Sequence, residues 1–366
     1  MDLSETLQIV DQNFVISGGE RLAYFGGCDY YRLSSHPDVV AALRESSACD
    51  GLSAAASRIT TGNHPVYLEL EKKLARFFGS GSALTVSAGY LANLVVAQAL
   101  AGQFDHAFID DRSHASLQDA SRFLECPVTR FSHRDAACLS RRLEEMPSGA
   151  RAVILTDGMF SHDGSVAPLR AYDELLPRGG LMLVDDSHGA GVLGESGRGA
   201  PQFEGVKRRR LIQTATLSKA FGSAGGVALC SASVRQQIVG RSAAFQGSTP
   251  LAIPLAQAGI ASLGLLRRDK GMRLRLQMNV HVAKSALMRS GVAVVDSPSP
   301  IIAHVPRSED EAGRLVQLLR RNGVYPTLIK YPGGPPNGYF RFAISSEHSH
   351  EQIKALTDAL VEGCEA

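Results

Sequence analysis

Between Ser82 and Leu229 short apolar runs alternate with amphipathic stretches, and no other pattern in the chain restricts its possible folds as severely. Strand-length runs fall at 84–86, 107–109, 152–155, 181–184, 211–216 and 227–229. Strands separated by helical stretches build an α/β domain with a doubly wound, mostly parallel sheet. Ligands of such sheets lie beyond the carboxyl ends of the strands, so the polar residues after each run are the first candidates for chemistry. After Pro254 a long helical stretch at 255–289 is read as a connector. A second, smaller α/β unit is expected after it, with strands at 301–305, 324–329 and 339–344 and helices at 309–322 and 350–361. The Pro- and Gly-rich run from Tyr331 to Gly338 is read as a loop. The expected division is an N-terminal segment 1–45, a large cofactor-binding domain 46–260, and a connector with a small C-terminal domain 261–366.

With 366 residues, 44% of them apolar, the chain can bury a core large enough for two domains. Its 38 basic and 36 acidic residues are dispersed and leave a formal charge of +2, so nothing points to nucleic acid. The one compact basic run, Lys207-Arg-Arg-Arg210, is read as a solvated loop. Six scattered cysteines without a CxxC pair suit reduced thiols. The first residues, MDLSETLQIVDQNF, lack the basic and apolar regions of a secretion signal. No run reaches the roughly 18–20 apolar residues of a membrane span. A cytoplasmic enzyme with no membrane span is expected.

The run at 211–216 leads into Thr216-Leu-Ser-Lys219-Ala-Phe-Gly222. A lysine amine at a strand end can condense with an aldehyde cofactor, and the small residues around it let a ligand approach. Taken alone, the motif also fits a solvated lysine beside a glycine turn. The run at 181–184 ends in Asp185-Asp-Ser-His188, where a carboxylate can keep a pyridine nitrogen protonated. The glycines that follow, Gly189-Ala-Gly191-Val-Leu-Gly194, fit GxGxxG, but four polar residues separate them from the strand, against the dinucleotide pattern. Ser87-Ala-Gly89-Tyr90 opens a helical stretch whose free amides suit a phosphate, or simply turn the chain. His114, after another strand, can stack on a flat ring or cap a helix. No acid and histidine group has the usual metal-ligand spacing, and no metal is expected.

Together these residues resemble the α-oxoamine synthases, pyridoxal-phosphate enzymes of the type I aminotransferase fold. The resemblance covers about residues 24–353. It rests also on Gly62-Asn63, Leu70-Glu71, Asn93, Ser113-His-Ala-Ser116, Thr156-Asp157-Gly-Met-Phe-Ser161-His-Asp163-Gly164, Gly194-Glu-Ser-Gly-Arg-Gly199, Ser248-Thr249 and Arg341. It implies a decarboxylating condensation of an amino acid with an acyl thioester, carried by CoA or an acyl-carrier protein, to give an α-amino ketone. Lys219 would hold pyridoxal 5'-phosphate and act as general base, Asp185 would meet the ring nitrogen, His114 would stack on the ring and His188 would reach its phenolic oxygen. Ser161 and Asp157 would stand in the surrounding shell. Gly89, Tyr90 and Thr216 would hold the phosphate, with Ser248 and Thr249 reaching it from a neighbouring subunit. A homodimer with shared active sites follows from that. Arg341 would pair with the substrate carboxylate.

Within the family the run Val184-Asp to Gly199 is most similar to the branch that joins alanine to a pimeloyl thioester in biotin synthesis, so alanine is favoured. Glycine-acetylating and long-chain α-aminoketone branches remain alternatives, as do an aminotransferase and a catalytically lapsed cofactor-binding subunit. The chain departs from the family around the substrate. Cys28 stands where an asparagine contacts the amino-acid carboxylate, Tyr67 replaces a histidine, Tyr339 replaces an arginine, and Ser53-Ala-Ala-Ala-Ser-Arg58 replaces a glycine-rich stretch.

Overall fold

The computed structural model describes residues 5–330 and 334–365. Residues 331–333 of the expected loop lie outside the described residues, and the rest of it is a turn closed by the Gly338 amide on the Pro335 carbonyl at 2.9 Å. The chain divides into two compact units, Leu33–Phe160 with Val166–Asp269, and Met1–Arg32 with Ser161–Ser165 and Lys270–Ala366.

The second of these units begins with an antiparallel meander of β1 (Gln8–Val10), β2 (Phe14–Ser17) and β3 (Glu20–Ala23). Gly18 and Gly19 connect β2 to β3 with φ of 58° and 84°. Two successive left-handed residues make the type I′ turn that matches strand twist, and glycine adopts it without strain.

The larger unit carries a seven-stranded sheet of β4 (Ser82–Val86), β5 (His106–Asp110), β6 (Val128–Phe131), β7 (Ala152–Asp157), β8 (Leu181–Asp185), β9 (Leu211–Thr216) and β10 (Gly226–Cys230), in the order β4-β10-β9-β8-β7-β5-β6. The strands from β9 to β6 are parallel, as expected, whereas β10 runs antiparallel to both of its neighbours. Because β10 reverses between them, β4 points the same way as β9. The carboxyl ends of β4, β9, β8, β7 and β5 therefore open on one edge. Every residue of β7, β9 and β10 is buried, so none of them shows the alternation of a half-exposed strand. Helix Gly89–Leu100 closes one face, packing Val95, Val96, Ala99 and Leu100 into a core with Leu84, Ile109, Leu155, Leu183, Ile212 and Ala228.

The small unit's second sheet is antiparallel, with β11 (Ile301–His304), β12 (Leu328–Ile329) and β13 (Tyr339–Ala343) in the order β11-β13-β12. The strand expected at 324–329 shrinks to two residues, since Pro326 has no amide to give a ladder. The connector expected as one helix at 255–289 is two, Ile253–Arg268 and Lys270–Arg289, with Asp269 between them at φ −96° and ψ 87°, outside helical geometry. The strand β6 escaped the sequence pattern because its residues alternate at an exposed edge. The basic run is not simply solvated: Arg208 donates to the Phe78 carbonyl and Gln213, and Arg210 to the Asp173 and Leu176 carbonyls.

The small unit also buries an arginine and a histidine together. Arg32 donates to Asn13 Oδ1 at 2.8 Å and the Tyr24 carbonyl at 3.0 Å, and its Nη2 lies 3.1 Å from His348 Nε2. The other His348 nitrogen accepts the Ser345 amide at 3.0 Å, and the ring lies against Phe25. Burial first, and then the Arg32 charge, push the His348 pKa down from 6.5 to about 3. The unfolded chain takes up a proton that the fold refuses, so stability falls as pH drops from about 6.5 towards 3, by up to about 1.4 kcal/mol per pH unit. Urea unfolding at a series of pH values is expected to show the advantage of the wild type over His348→Gln shrinking across that window. A constant difference would contradict the assignment.

Candidate active site

The open edge of the large sheet gathers most of the expected cofactor residues. Lys219 lies three residues past β9, and its Nζ is 2.8 Å from Nε2 of His188, which lies three residues past β8. Asp185, the last residue of β8, is buried and receives Asn93 Nδ2 at 2.6 Å, the Ser187 amide at 3.0 Å and Ser116 Oγ at 3.4 Å. Asn93 is fixed in turn by Thr214 Oγ1 at 2.6 Å, from the neighbouring strand β9. These donors replace the hydrogen bonds that a buried carboxylate loses with its water.

His114 follows β5 and caps helix Ala115–Ser121, its Nδ1 accepting the Ser116 amide at 3.2 Å. The proton of the neutral ring then resides on Nε2. Burial lowers the His114 pKa, the Asp185 charge opposes that and Lys219 adds to it, so the ring is neutral within reach of both groups. The Tyr90 ring meets it edge-on with centroids 6.0 Å apart, and the Tyr90 hydroxyl is bound to Asp119.

Gly89 begins the helix that follows β4, and its N-cap, Ala88, has no side chain to satisfy the first amides. Those amides are available to an anion. Gly89 is required there, since a Cβ would stand 2.8 Å from Thr216 Cβ. The Thr216 hydroxyl itself donates to the Gly225 carbonyl at 3.0 Å and lies 2.7 Å from Ser218 Oγ. Ser248 and Thr249 line a small cavity with Arg58, Thr85 and Ser87. Ser161, Arg341 and Cys28 belong to the smaller unit. There Arg341 Nη1 donates to the Ser161 carbonyl at 3.4 Å, and its buried Nε has no hydrogen-bond partner among the described residues. Cys28 adjoins Tyr30, whose hydroxyl pKa is raised by burial first and by the thiol second.

Three supporting residues were given no site role from sequence, although Asn93 and Glu71 were among those carrying the resemblance. Asn93 is a fully buried polar residue in an apolar helix, a legible signal of a buried partner. Asp186 accepts Gln213 Nε2 at 2.6 Å and the Ala200 amide at 3.0 Å, and burial lifts its pKa to about 8. A Cβ on Gly199 would collide with it, so the glycine run wraps this acid rather than opening a nucleotide-binding helix. Glu71 accepts the Thr85 amide at 2.8 Å and hydroxyl at 3.0 Å, pairs with Arg58, and meets Arg235 at 3.1 Å. It thereby pins the end of β4 just before the anion-binding turn.

A half-buried amine, a carboxylate met by donors, a neutral imidazole and an uncapped helix start on one sheet edge fit pyridoxal 5'-phosphate. Residues 25–360 match the family model described as aminotransferase class I and II. The chain belongs to the aminotransferase class I and II family. The 8-amino-7-oxononanoate synthase of Trichlorobacter lovleyi is 34% identical over 346 residues, 93% of this chain and 88% of that protein. Among solved structures, the serine palmitoyltransferase of Sphingomonas wittichii superposes with a TM-score of 0.91 at 26% identity, over 98% of this chain and 91% of that one. An 8-amino-7-oxononanoate synthase from Francisella tularensis gives 0.79 at 25% identity, over 93% and 97%. This family member is a pyridoxal-phosphate-dependent enzyme of the α-oxoamine synthase type.

Removing the Glu71 carboxylate strands Arg58, whose side chain is only 6% exposed. Truncating one partner of such a pair costs about 3–5 kcal/mol. Glu71→Ala is therefore expected to lower the unfolding free energy from urea titration by that amount and the midpoint with it, with Glu71→Gln between it and wild type. An unchanged midpoint would remove Glu71 from this supporting role.

Proposed function

We propose that the enzyme joins a small amino acid, alanine favoured, to an acyl thioester, forming a C–C bond and releasing carbon dioxide and the free thiol to leave an α-amino ketone. The observation that carries this reading is the Lys219 amine held at His188, with the Asp185 carboxylate saturated by donors on the next strand end. The curated relative of matching length bears the name of an enzyme of that reaction type.

Lys219 would hold pyridoxal 5'-phosphate, with Asp185 for its ring nitrogen, His114 for the ring face and His188 for the phenolic oxygen. Gly89, Tyr90 and Thr216 would hold the phosphate, joined by Ser248 and Thr249 of a neighbouring copy in a homodimer. The bound cofactor supplies an electron sink for charge left on the amino-acid Cα. The Lys219 amine would serve as general base for the Cα proton of the amino acid. Arg341 grips the substrate carboxylate by its planar fork, which fixes the Cα bond presented for cleavage. Cys28 would border that carboxylate, and Ser161 would stand in the shell around the cofactor. Loss of carbon dioxide follows acyl transfer, when the carboxylate lies β to a new ketone.

CoA or an acyl-carrier protein delivers the acyl group, and the enzyme works in the cytoplasm. No helix among the described residues is long and apolar enough to cross a membrane. A second reading, a long-chain α-aminoketone synthase, has in its favour the likeness in shape to a serine palmitoyltransferase.

The purified protein is expected to be yellow and Lys219→Ala colourless. Colour surviving in that variant would refute the lysine assignment. A spectral titration with alanine, glycine and serine is expected to respond most strongly to alanine. Thiol release from short, medium and long acyl-CoA substrates then separates the two synthase readings. Turnover of a 2-oxo acid with no reaction of any thioester would instead make the enzyme an aminotransferase.

A further inference from the structure

Asp157 ends β7 directly opposite Asp185 on β8 in parallel register. Paired residues of neighbouring strands project to the same face, and these two acids are 5% and 6% exposed. Two carboxylates so placed in a dry site do not both ionise readily. The donors decide between them. Asp185 collects Asn93, Ser116 and Ser187, whereas Asp157 Oδ1 is met by the His114 amide at 3.2 Å. Beyond Asp157, Asp110 ends β5, saturated by His133 and by the Arg112 and Arg134 amides, each at 2.9 Å. Ile109 pairs with Leu155, so Asp110 stands level with Thr156 and not with Asp157. Of the two neighbouring acids, the facing Asp185 acts on Asp157 the more strongly. Among the groups acting on it, burial, Asp185 and Asp110 favour its protonated form, while the His114 amide and Lys219 oppose that. The net effect raises its pKa well above the ordinary carboxylate value, burial being the largest cause.

We propose that Asp157 is a positioning residue working as a neutral carboxylic acid: it anchors the His114 backbone and leaves the negative charge of the site on Asp185. The inference rests on the cofactor roles given above to Asp185 and His114. A carboxylate at position 157 would set a second charge beside the ring nitrogen, weakening control of its protonation by Asp185. A residue without an acceptor there would release the loop that carries His114.

The test compares Asp157→Asn, Asp157→Ala and Asp185→Asn with wild type. Melting temperatures of the cofactor-free proteins are followed from pH 4 to pH 8, and absorbance of the loaded proteins is titrated with pH. The wild-type fold keeps a proton that the unfolded chain loses above about pH 4, so its stability falls as pH rises. Asp157→Asn has no such proton and is expected to gain on wild type steadily over that range. Its yellow band should titrate at the wild-type pH, whereas a lost charge would move the midpoint by about one unit. Asp157→Ala should bind the cofactor about tenfold more weakly, the loss expected for one hydrogen bond to a buried group. Parallel melting curves, a shifted midpoint in Asp157→Asn, or failure of that isosteric variant to fold would each overturn the proposal. If Asp185→Asn leaves the band and its midpoint untouched, the cofactor reading itself is at fault.

Discussion

The Asp185 carboxylate is the group around which the larger unit is arranged. A buried charge of this kind survives only where donors replace its lost water. Those donors come from separate parts of the chain: Asn93 from helix Gly89–Leu100, Ser116 from helix Ala115–Ser121, and the Ser187 amide from the turn after β8. Satisfying one acid therefore fixes the helix whose start is open to an anion, the loop that carries His114, and the strand end that leads to His188. Thr214 extends the arrangement to β9, the strand that delivers Lys219.

The neighbouring acid has a different task. Successive residues of a strand face opposite sides, so Asp185 and Asp186 diverge although they are adjacent. Asp186 binds Gln213 and the Ala200 amide and gathers the glycine-rich loop between them. The loop's GxGxxG spacing arises from turns with positive φ at Gly191, Gly194, Gly197 and Gly199. The same spacing in a nucleotide fold would face a helix start; here it faces a buried carboxylate.

Glu71 does for β4 what Asn93 does for β8. It binds the backbone and side chain of Thr85 and balances Arg58 and Arg235 in a closed environment. Such a network adds less to net stability than its bond count suggests, because each charge is stripped of water. Its effect is geometric, holding β4 in place at the point where Ser87, Ala88 and Gly89 turn into the helix.

The α/β alternation, the lysine after β9, the acid after β8 and the histidine after β5 were all legible in the linear chain, because buried parallel strands are continuous apolar runs and ligand-facing residues must follow them. The chain itself carried Cys28, Tyr67 and Tyr339 as departures from family habit. Strand direction was not legible: β10 is a short buried apolar run like those expected of parallel strands, and only its hydrogen-bond pairing sets it antiparallel to β4 and β9. The split of the connector at Asp269 and the shortening of the strand before Ile329 likewise depend on backbone dihedrals and on pairing, which apolar periodicity does not record. The separate fates of Asp157, Asp185 and Asp186 were decided in three dimensions, since the charge state of an acid is set by the donors and charges that folding brings to it from distant positions in the chain.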